Sequence, residues 1–180
     1  AYVSSEALAQ LAVAQRTAML SSFILIAVNL VVAPRFAKLY RDNDMAQLES
    51  LAIKSVKLIG LFALPVIGAM LVFPSFLMSL FGAEFTEGAA LLQILAIGQF
   101  INAMTGSVGF LLMMSGHERD MRNVTLISGT LALLFTWFLT AQFGIVGAAI
   151  GTAIAVATQN LLAVYFVKKR LGFNTLAVWR

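Results

Sequence analysis

A few polar side chains interrupt the long apolar segments of this sequence, and binding or chemistry is expected there. Arg16 lies well inside one such segment and is the only formal charge within any of them. An ionisable residue in apolar surroundings is costly, which makes it a candidate functional residue. Its guanidinium would attract an anion such as a pyrophosphate or an acidic sugar. The alternatives are a structural ion pair, a partner outside this chain, or a side chain that extends to the surface.

A polar strip accompanies this arginine. Gln15, Ser22 and Asn29 are spaced by seven residues, so they share one face of a helix, with Arg16 about a quarter turn away. The strip predicts either the wall of a hydrated cavity or hydrogen bonds between helices. Asn102, in a later apolar segment, is a further candidate for lining a substrate pathway, although close packing of helices is the alternative role.

The residues that catalysis and metal binding need are scarce. The sequence has no cysteine and a single histidine, His117, which excludes disulfides, thiol chemistry and clusters of histidine ligands. No carboxylate lies inside an apolar segment, no GxxxxGK[ST] phosphate loop occurs, and no set of nucleophile, base and orienting group can be assembled. We therefore predict neither enzymatic activity nor a cofactor or metal.

Composition indicates a membrane protein. Of the 180 residues, 61% are hydrophobic and 11% are charged, whereas soluble domains carry about 25% charged residues. The mean hydropathy of +0.93 is too high for a surface that faces water. The net charge of +4 comes from short basic clusters between apolar runs and not from a basic stripe. Membrane lipids, and not nucleic acid, are the expected surroundings.

Five continuous apolar runs are long enough to cross a bilayer, which takes about 20 residues of helix. They favour helices over barrel strands, because strands would alternate apolar and polar residues. Ser5 is the expected N-cap of the first helix and Pro34 its end, and residues 45–57 resemble an amphipathic helix that leads into the second. The predicted spans are 8–33, 58–80, 89–114, 124–140 and 146–167.

The basic residues predict the orientation. Eleven of the twelve lysines and arginines follow the first, third and fifth spans, and the loops 81–88 and 141–147 contain none. By the positive-inside rule, the N-terminus lies outside and the C-terminus in the cytoplasm. Five crossings that begin outside fit the last part of a longer protein. We therefore interpret residues 1–180 as a single transmembrane domain cut from a longer chain.

Small residues predict where two helices pack closely. Gly147 and Gly151 form a GxxxG pair at the start of the fifth span. Without side chains, glycines let helix backbones approach each other, so this face is expected to contact another helix.

Several segments resemble one family of membrane transporters. They are AVAQR at 12–16, VVAPRFAKLYRDND at 31–44, LFGAEF at 80–85, AALLQIL at 89–95 and FGIVGAAIGT at 143–152. In their order and spacing they resemble polysaccharide flippases. The likeness is to the O-antigen or exopolysaccharide (Wzx-like) branch of the multidrug/oligosaccharidyl-lipid/polysaccharide exporter superfamily.

The resemblance implies a protein of twelve or more helices in two bundles, which works by alternating access. This chain would supply helices eight to twelve, most of the second bundle, and the N-terminal bundle of the same polypeptide would be missing. The cargo would be an undecaprenyl-pyrophosphate-linked oligosaccharide, flipped across the bacterial cytoplasmic membrane for the biosynthesis of surface polysaccharide.

Two other functions stay open at this stage. A multidrug exporter of the same superfamily would have the same topology and a drug-sized cavity. A membrane assembly subunit that transports nothing is the other alternative, but such a subunit would have less reason to keep Arg16 inside an apolar helix.

Overall fold

The computed structural model of the protein describes residues 4–177, so Arg180 of the predicted basic tail lies outside the described residues. This range is helical and contains no strand. Its elements are α1 (Ser5–Arg41), α2 (Met45–Val72), α3 (Pro74–Ser79), a 3-10 helix (Ala83–Gly88), α4 (Ala89–Thr105), α5 (Val108–Met114) and α6 (Glu118–Leu171).

The prediction of an all-α membrane protein is confirmed. Within residues 4–177, four helical segments are long and apolar enough to cross a membrane. They are α1, α2, the 3-10 helix together with α4, and α6. The last of these is folded back on itself at Gly144.

The first helix is longer than its sequence predicts. Ser4, and not Ser5, is the N-cap, and its hydroxyl accepts a hydrogen bond from the backbone N–H of Ala7 at 3.2 Å. The prediction that the helix ends at Pro34 is wrong, because α1 continues to Arg41. Proline removes only one backbone donor, and just beyond it the fully buried Phe36 packs into an apolar cluster that favours the helical path.

A tight turn joins α1 to α2. Asn43 takes a left-handed conformation with φ of 57°, which asparagine tolerates better than most residues. Asp44 then caps α2 by accepting a hydrogen bond from the backbone N–H of Gln47 at 3.0 Å. The predicted amphipathic helix is therefore continuous with the second span, and α2 runs through Pro65. It ends at Val72, short of the predicted bound, and Pro74 begins α3.

The third predicted span is broken in its middle. Gly106 separates α4 from α5 with φ of 69° and ψ of −139°, a conformation available mainly to glycine. A Cβ atom there would lie 2.5 Å from Cγ2 of Val56. The absence of a side chain therefore permits both the break and the close approach of α2.

The last helix is a hairpin. Gly144, with φ of 59° and ψ of −138°, interrupts α6 and reverses its direction. The limbs 118–143 and 145–171 pack side by side, so that Gly147 lies against the backbone of Leu139 and Gly151 against Thr136. Each limb exceeds the roughly 20 residues that cross a bilayer as a helix.

An ion pair joins the free ends of this hairpin. The guanidinium of Arg170 donates to both carboxylate oxygens of Asp120, with distances of 2.6 Å from Nε to Oδ2 and 3.1 Å from Nη2 to Oδ1. Both residues lie outside the predicted spans. The hydrogen bond from Arg170 lowers the pKa of Asp120, against the opposing effect of its burial.

Helix α4 is the centre of the bundle and packs against α1, α2 and α6. Gly98 brings it close to the second limb of α6, where an added Cβ would lie 3.1 Å from Cα of Ala153. Among the described residues, two apolar clusters form the core. The first cluster, around Ile59, Met70 and Leu92, joins α1, α2, α4 and α6. The second, around Phe36 and Val167, joins α1, α2, α5 and α6.

Substitution of Gly147 by alanine tests the hairpin. The new Cβ would overlap the carbonyl of Leu139, so we expect Gly147→Ala to destabilise the protein by about 1–3 kcal/mol, the usual cost of overpacking. The measurement is the thermal unfolding midpoint in detergent. Gly129→Ala is the matched control, because a Cβ on that glycine of the same helix meets nothing within 4 Å. Equal midpoints for the two variants would contradict the packing described.

Candidate functional site

A polar cleft lies inside the bundle, between α1, the break that joins α4 to α5, and the second limb of α6. Its volume is about 280 Å³. Amide and hydroxyl side chains form part of its lining, beside apolar side chains such as those of Leu25, Phe110 and Val156. These polar residues are Asn29, Gln99, Asn102, Ser107, Gln159 and Asn160.

Hydrogen bonds around the cleft connect three helices. Oε1 of Gln99 accepts one bond from the hydroxyl of Ser22 at 3.0 Å and another from Nδ2 of Asn102 at 3.1 Å. The hydroxyl of Thr105 lies 3.1 Å from Oδ1 of Asn160 and can donate to it. The network therefore joins α1 to α4 and α4 to α6.

Two polar atoms of the cleft have no hydrogen-bond partner among the described residues. They are Oδ1 of Asn29 and Oγ of Ser107, and the two residues are only 3% and 5% exposed. Buried polar atoms in proteins are nearly always hydrogen-bonded, either to protein or to water. Both atoms border the same cavity, so the cleft is suited to a polar occupant such as water or a hydroxyl group.

The chemistry of the cleft follows from its groups. Amide and hydroxyl groups donate and accept hydrogen bonds but carry no charge, so the cleft selects polar groups without selecting anions. Among residues 4–177, no group of three or more His, Cys, Asp or Glu side chains is placed to hold a metal ion.

The structure brings together three of the five residues that the sequence singled out. Ser22, Asn29 and Asn102 belong to the cleft or to its network. Gln15 is half-buried on α1 and does not line the cleft. Arg16 is exposed on another face of the helix, so the predicted polar strip is divided between two surfaces.

The face that carries Arg16 is otherwise apolar. Leu20 and Phe23 follow it at helical spacing and are 50% and 64% exposed. Arg16 has no hydrogen-bond or ion-pair partner in the part of the chain that the structure describes. A cation at this depth would be costly in hydrocarbon, so the surface is one that requires water, a counter-ion or another helix.

Sequence reasoning missed Ser107 and Asn160 as members of the cleft. Ser107 lines the cleft because the helix is interrupted at Gly106, and no periodic sequence pattern predicts that interruption. Asn160 had a signal in the pair of adjacent amides at 159–160, which is unusual inside an apolar helix.

Replacement of Asn29 tests whether the cleft serves function or stability. Asn29→Leu removes an unpartnered buried oxygen and substitutes an apolar group of similar size, so we expect unchanged or higher thermal stability. The measurement is the unfolding midpoint in detergent. Gln99→Leu is the comparison, because it removes the oxygen that accepts hydrogen bonds from both Ser22 and Asn102 and should destabilise by about 1–3 kcal/mol. A large loss of stability in Asn29→Leu would show that Asn29 holds the bundle together.

The chain was compared with known protein families. A family model described as MatE matches residues 1–138, which is more than half of the chain. No solved structure gives a significant match.

Three curated relatives show moderate similarity. The chain is 30% identical over 142 residues to the probable low-salt glycan biosynthesis flippase Agl15 of Haloferax volcanii, which covers 78% of this chain and 30% of the relative. It is 27% identical over 144 residues to the capsular polysaccharide biosynthesis protein CapF of Staphylococcus aureus, with 79% and 36% covered. It is 26% identical over 167 residues to the uncharacterized membrane protein MJ1068 of Methanocaldococcus jannaschii, with 91% and 32% covered. The chain thus spans about a third of the length of these relatives.

Proposed function

Since the chain belongs to the MatE family, we propose that it forms part of an exporter that flips lipid-linked oligosaccharides across a membrane for polysaccharide biosynthesis. The observation that carries the proposal is the family match, together with two relatives whose names place them in glycan or capsule biosynthesis. The resemblance to polysaccharide flippases is thereby confirmed, as is a multi-pass membrane protein. The named relatives favour a glycan cargo over a drug-sized one.

The cargo and mechanism are finer parts of the proposal. An undecaprenyl-pyrophosphate-linked oligosaccharide combines a sugar chain rich in hydroxyls with a doubly phosphorylated link. The uncharged cleft suits hydroxyls, whereas Arg16, on another face of α1, suits the pyrophosphate. In this proposal the chain supplies helices eight to twelve of a two-bundle protein in the bacterial cytoplasmic membrane. The remaining helices face it across a central cavity, and alternating access moves the cargo.

Five crossings are proposed for this part of the chain. The hairpin of α6 supports this number, because its two limbs are each long enough to cross and its ends meet at the Asp120–Arg170 pair. The turn at Gly144 then lies on the same side as the 3-10 helix, outside the cell, and the basic clusters lie in the cytoplasm.

Cysteine labelling tests this topology, and the sequence contains no cysteine of its own. In intact cells, Ala83→Cys and Gln142→Cys should react with an impermeant maleimide, since both positions are exposed near outer turns. Lys168→Cys should react only after permeabilisation. Labelling of Lys168→Cys but not Gln142→Cys in intact cells would invert the orientation, and labelling of Ala83→Cys without Gln142→Cys would contradict two crossings by α6.

Arg16 is proposed to face the central cavity of the complete protein and to bind the anionic part of the cargo. Loss of a charged hydrogen bond typically costs about 1.5–3 kcal/mol, so Arg16→Ala should lower export by about tenfold or more. Arg16→Lys should keep more activity, although lysine lacks the planar, two-pronged grip on phosphate.

The measurement is the restoration of surface polymer in cells that lack the exporter, at matched protein levels. Arg122→Ala is the control, because it removes an exposed arginine from the start of α6, which the proposal places on the cytoplasmic side. If Arg16→Ala exports as well as the control, Arg16 has a structural or surface role. Accumulation of the lipid-linked oligosaccharide on the cytoplasmic side in the Arg16→Ala strain would identify flipping as the step that is lost.

A further inference from the structure

A long crevice runs between α1 and α2 on the outside of the bundle. Its first part is an apolar groove of about 630 Å³ between the apolar stretches of both helices. The groove is lined by aliphatic and aromatic side chains, among them Ile24, Val28 and Val31 of α1 and Leu58, Phe62 and Val66 of α2.

The same crevice ends in a basic cleft of about 390 Å³. Arg35 and Lys38 come from α1 and Lys54 from α2, beside the polar side chains of Gln47 and Ser50. No carboxylate lines this cleft, and the ion pair found among the described residues, Asp120 with Arg170, lies elsewhere. Asp44 accepts a hydrogen bond from Gln47 beside the cleft, but none of the three exposed cations forms an ion pair in the described part of the chain.

The groove and the cleft adjoin, because their lining residues follow one another along the same two packed helices, in opposite chain directions. Val31 and Leu58 line the groove. On each helix, one turn nearer to the connection between α1 and α2, Arg35 and Lys54 line the cleft. The surface therefore changes from apolar to cationic along a single path. Such a surface is complementary to an amphiphile with an apolar tail and an anionic head.

We propose that this crevice binds an anionic membrane phospholipid, with its phosphate among Arg35, Lys38 and Lys54 and one acyl chain in the groove. Basic pockets between membrane helices recognise anionic head groups by charge and hydrogen bonds. The lengths agree as well. Eleven residues of helix separate Ile24 from Arg35, a rise of about 16 Å, and one leaflet of the hydrocarbon core is about 15 Å thick.

Other occupants fit the crevice less well. A free phosphate would use the basic cleft and leave the groove empty. An apolar helix from the rest of the polypeptide would fill the groove but leave three cations without a partner. A long polyprenyl chain exceeds the groove, which matches a single leaflet. The proposed ligand is thus a phospholipid of the surrounding membrane and not the transported cargo. The proposal therefore does not depend on what the exporter carries.

Native mass spectrometry of the full-length protein tests the proposal, with dioleoyl phosphatidylglycerol and dioleoyl phosphatidylcholine added in equal amounts to delipidated protein in detergent. We expect phosphatidylglycerol adducts to persist at higher collision energy than phosphatidylcholine adducts. Combined replacement of Arg35, Lys38 and Lys54 by glutamine should weaken phosphatidylglycerol binding by about tenfold or more, because each basic residue contributes to the attraction.

Two further variants make the result specific. Replacement of Arg119, Arg122 and Lys168 by glutamine removes the same charge from other exposed positions and should leave binding unchanged. Ala27→Trp places a bulky group in the groove without changing charge and should also weaken binding. All these side chains are exposed, so folding is expected to be preserved, and the thermal midpoint checks this.

Several outcomes would overturn the proposal. Equal retention of the two lipids would show that charge does not select the head group. Equal loss in both glutamine variants would show attraction by net charge alone. Displacement of the lipid by inorganic phosphate at the same concentration would show an anion site without a role for the groove. Absence of any retained lipid on the full-length protein would show that another segment covers the crevice.

Discussion

Hydrocarbon offers no hydrogen-bond partner to a peptide group, and this constraint explains where the chain is regular and where it is not. Within the apolar segments the backbone forms a helix, in which its N–H and C=O groups hydrogen-bond to each other. Where a helix breaks, the freed groups must be shielded by protein or water. Gly106 interrupts the helix where it packs against Val56 in the centre of the bundle. Gly144 interrupts α6 at a turn whose two limbs pack against each other. Both positions use the same backbone conformation, which residues with a side chain rarely adopt.

The polar cleft is a consequence of one of these breaks. Interruption of the helix at Gly106 turns Ser107 toward Asn29 and the amides of α4 and α6. Apolar clusters lie on either side of this polar band and supply the packing that holds it. A network that is partly unsatisfied would weaken a bundle designed only for stability. The unpartnered oxygens of Asn29 and Ser107 are instead suited to a polar occupant of the cleft.

Hydropathy predicted the class of fold well, because the cost of an exposed polar backbone in lipid leaves few alternatives. Hydropathy did not predict where the helices are interrupted, because such interruptions depend on tertiary contacts. Pro34 indicated a helix end, yet the burial of Phe36 carries α1 past it. The break at Gly106 was missed because one glycine in an apolar run gives no periodic signal, and its conformation follows from contact with α2.

The same reasoning applies to the candidate site. Spacing by seven placed Ser22 and Asn29 on one face of α1, and both belong to the region of the cleft. Residue spacing does not predict that the neighbouring Arg16 faces away from the cleft, since its exposure depends on which helices pack against α1. The partners Gln99 and Asn160 come from other helices, so only the assembled bundle brings them to Ser22 and Asn29.

The ion pair between Asp120 and Arg170 has a consequence for how the protein is made. The two residues are separated by 50 positions in the chain, which a ribosome needs roughly 3–10 s to synthesise at about 5–20 residues per second. During that interval the carboxylate of Asp120 is present without its arginine, so the hairpin cannot be closed at its base. Closure waits for the last turn of α6 to leave the ribosome, and a nascent chain that stops before Arg170 leaves the hairpin without this closing ion pair.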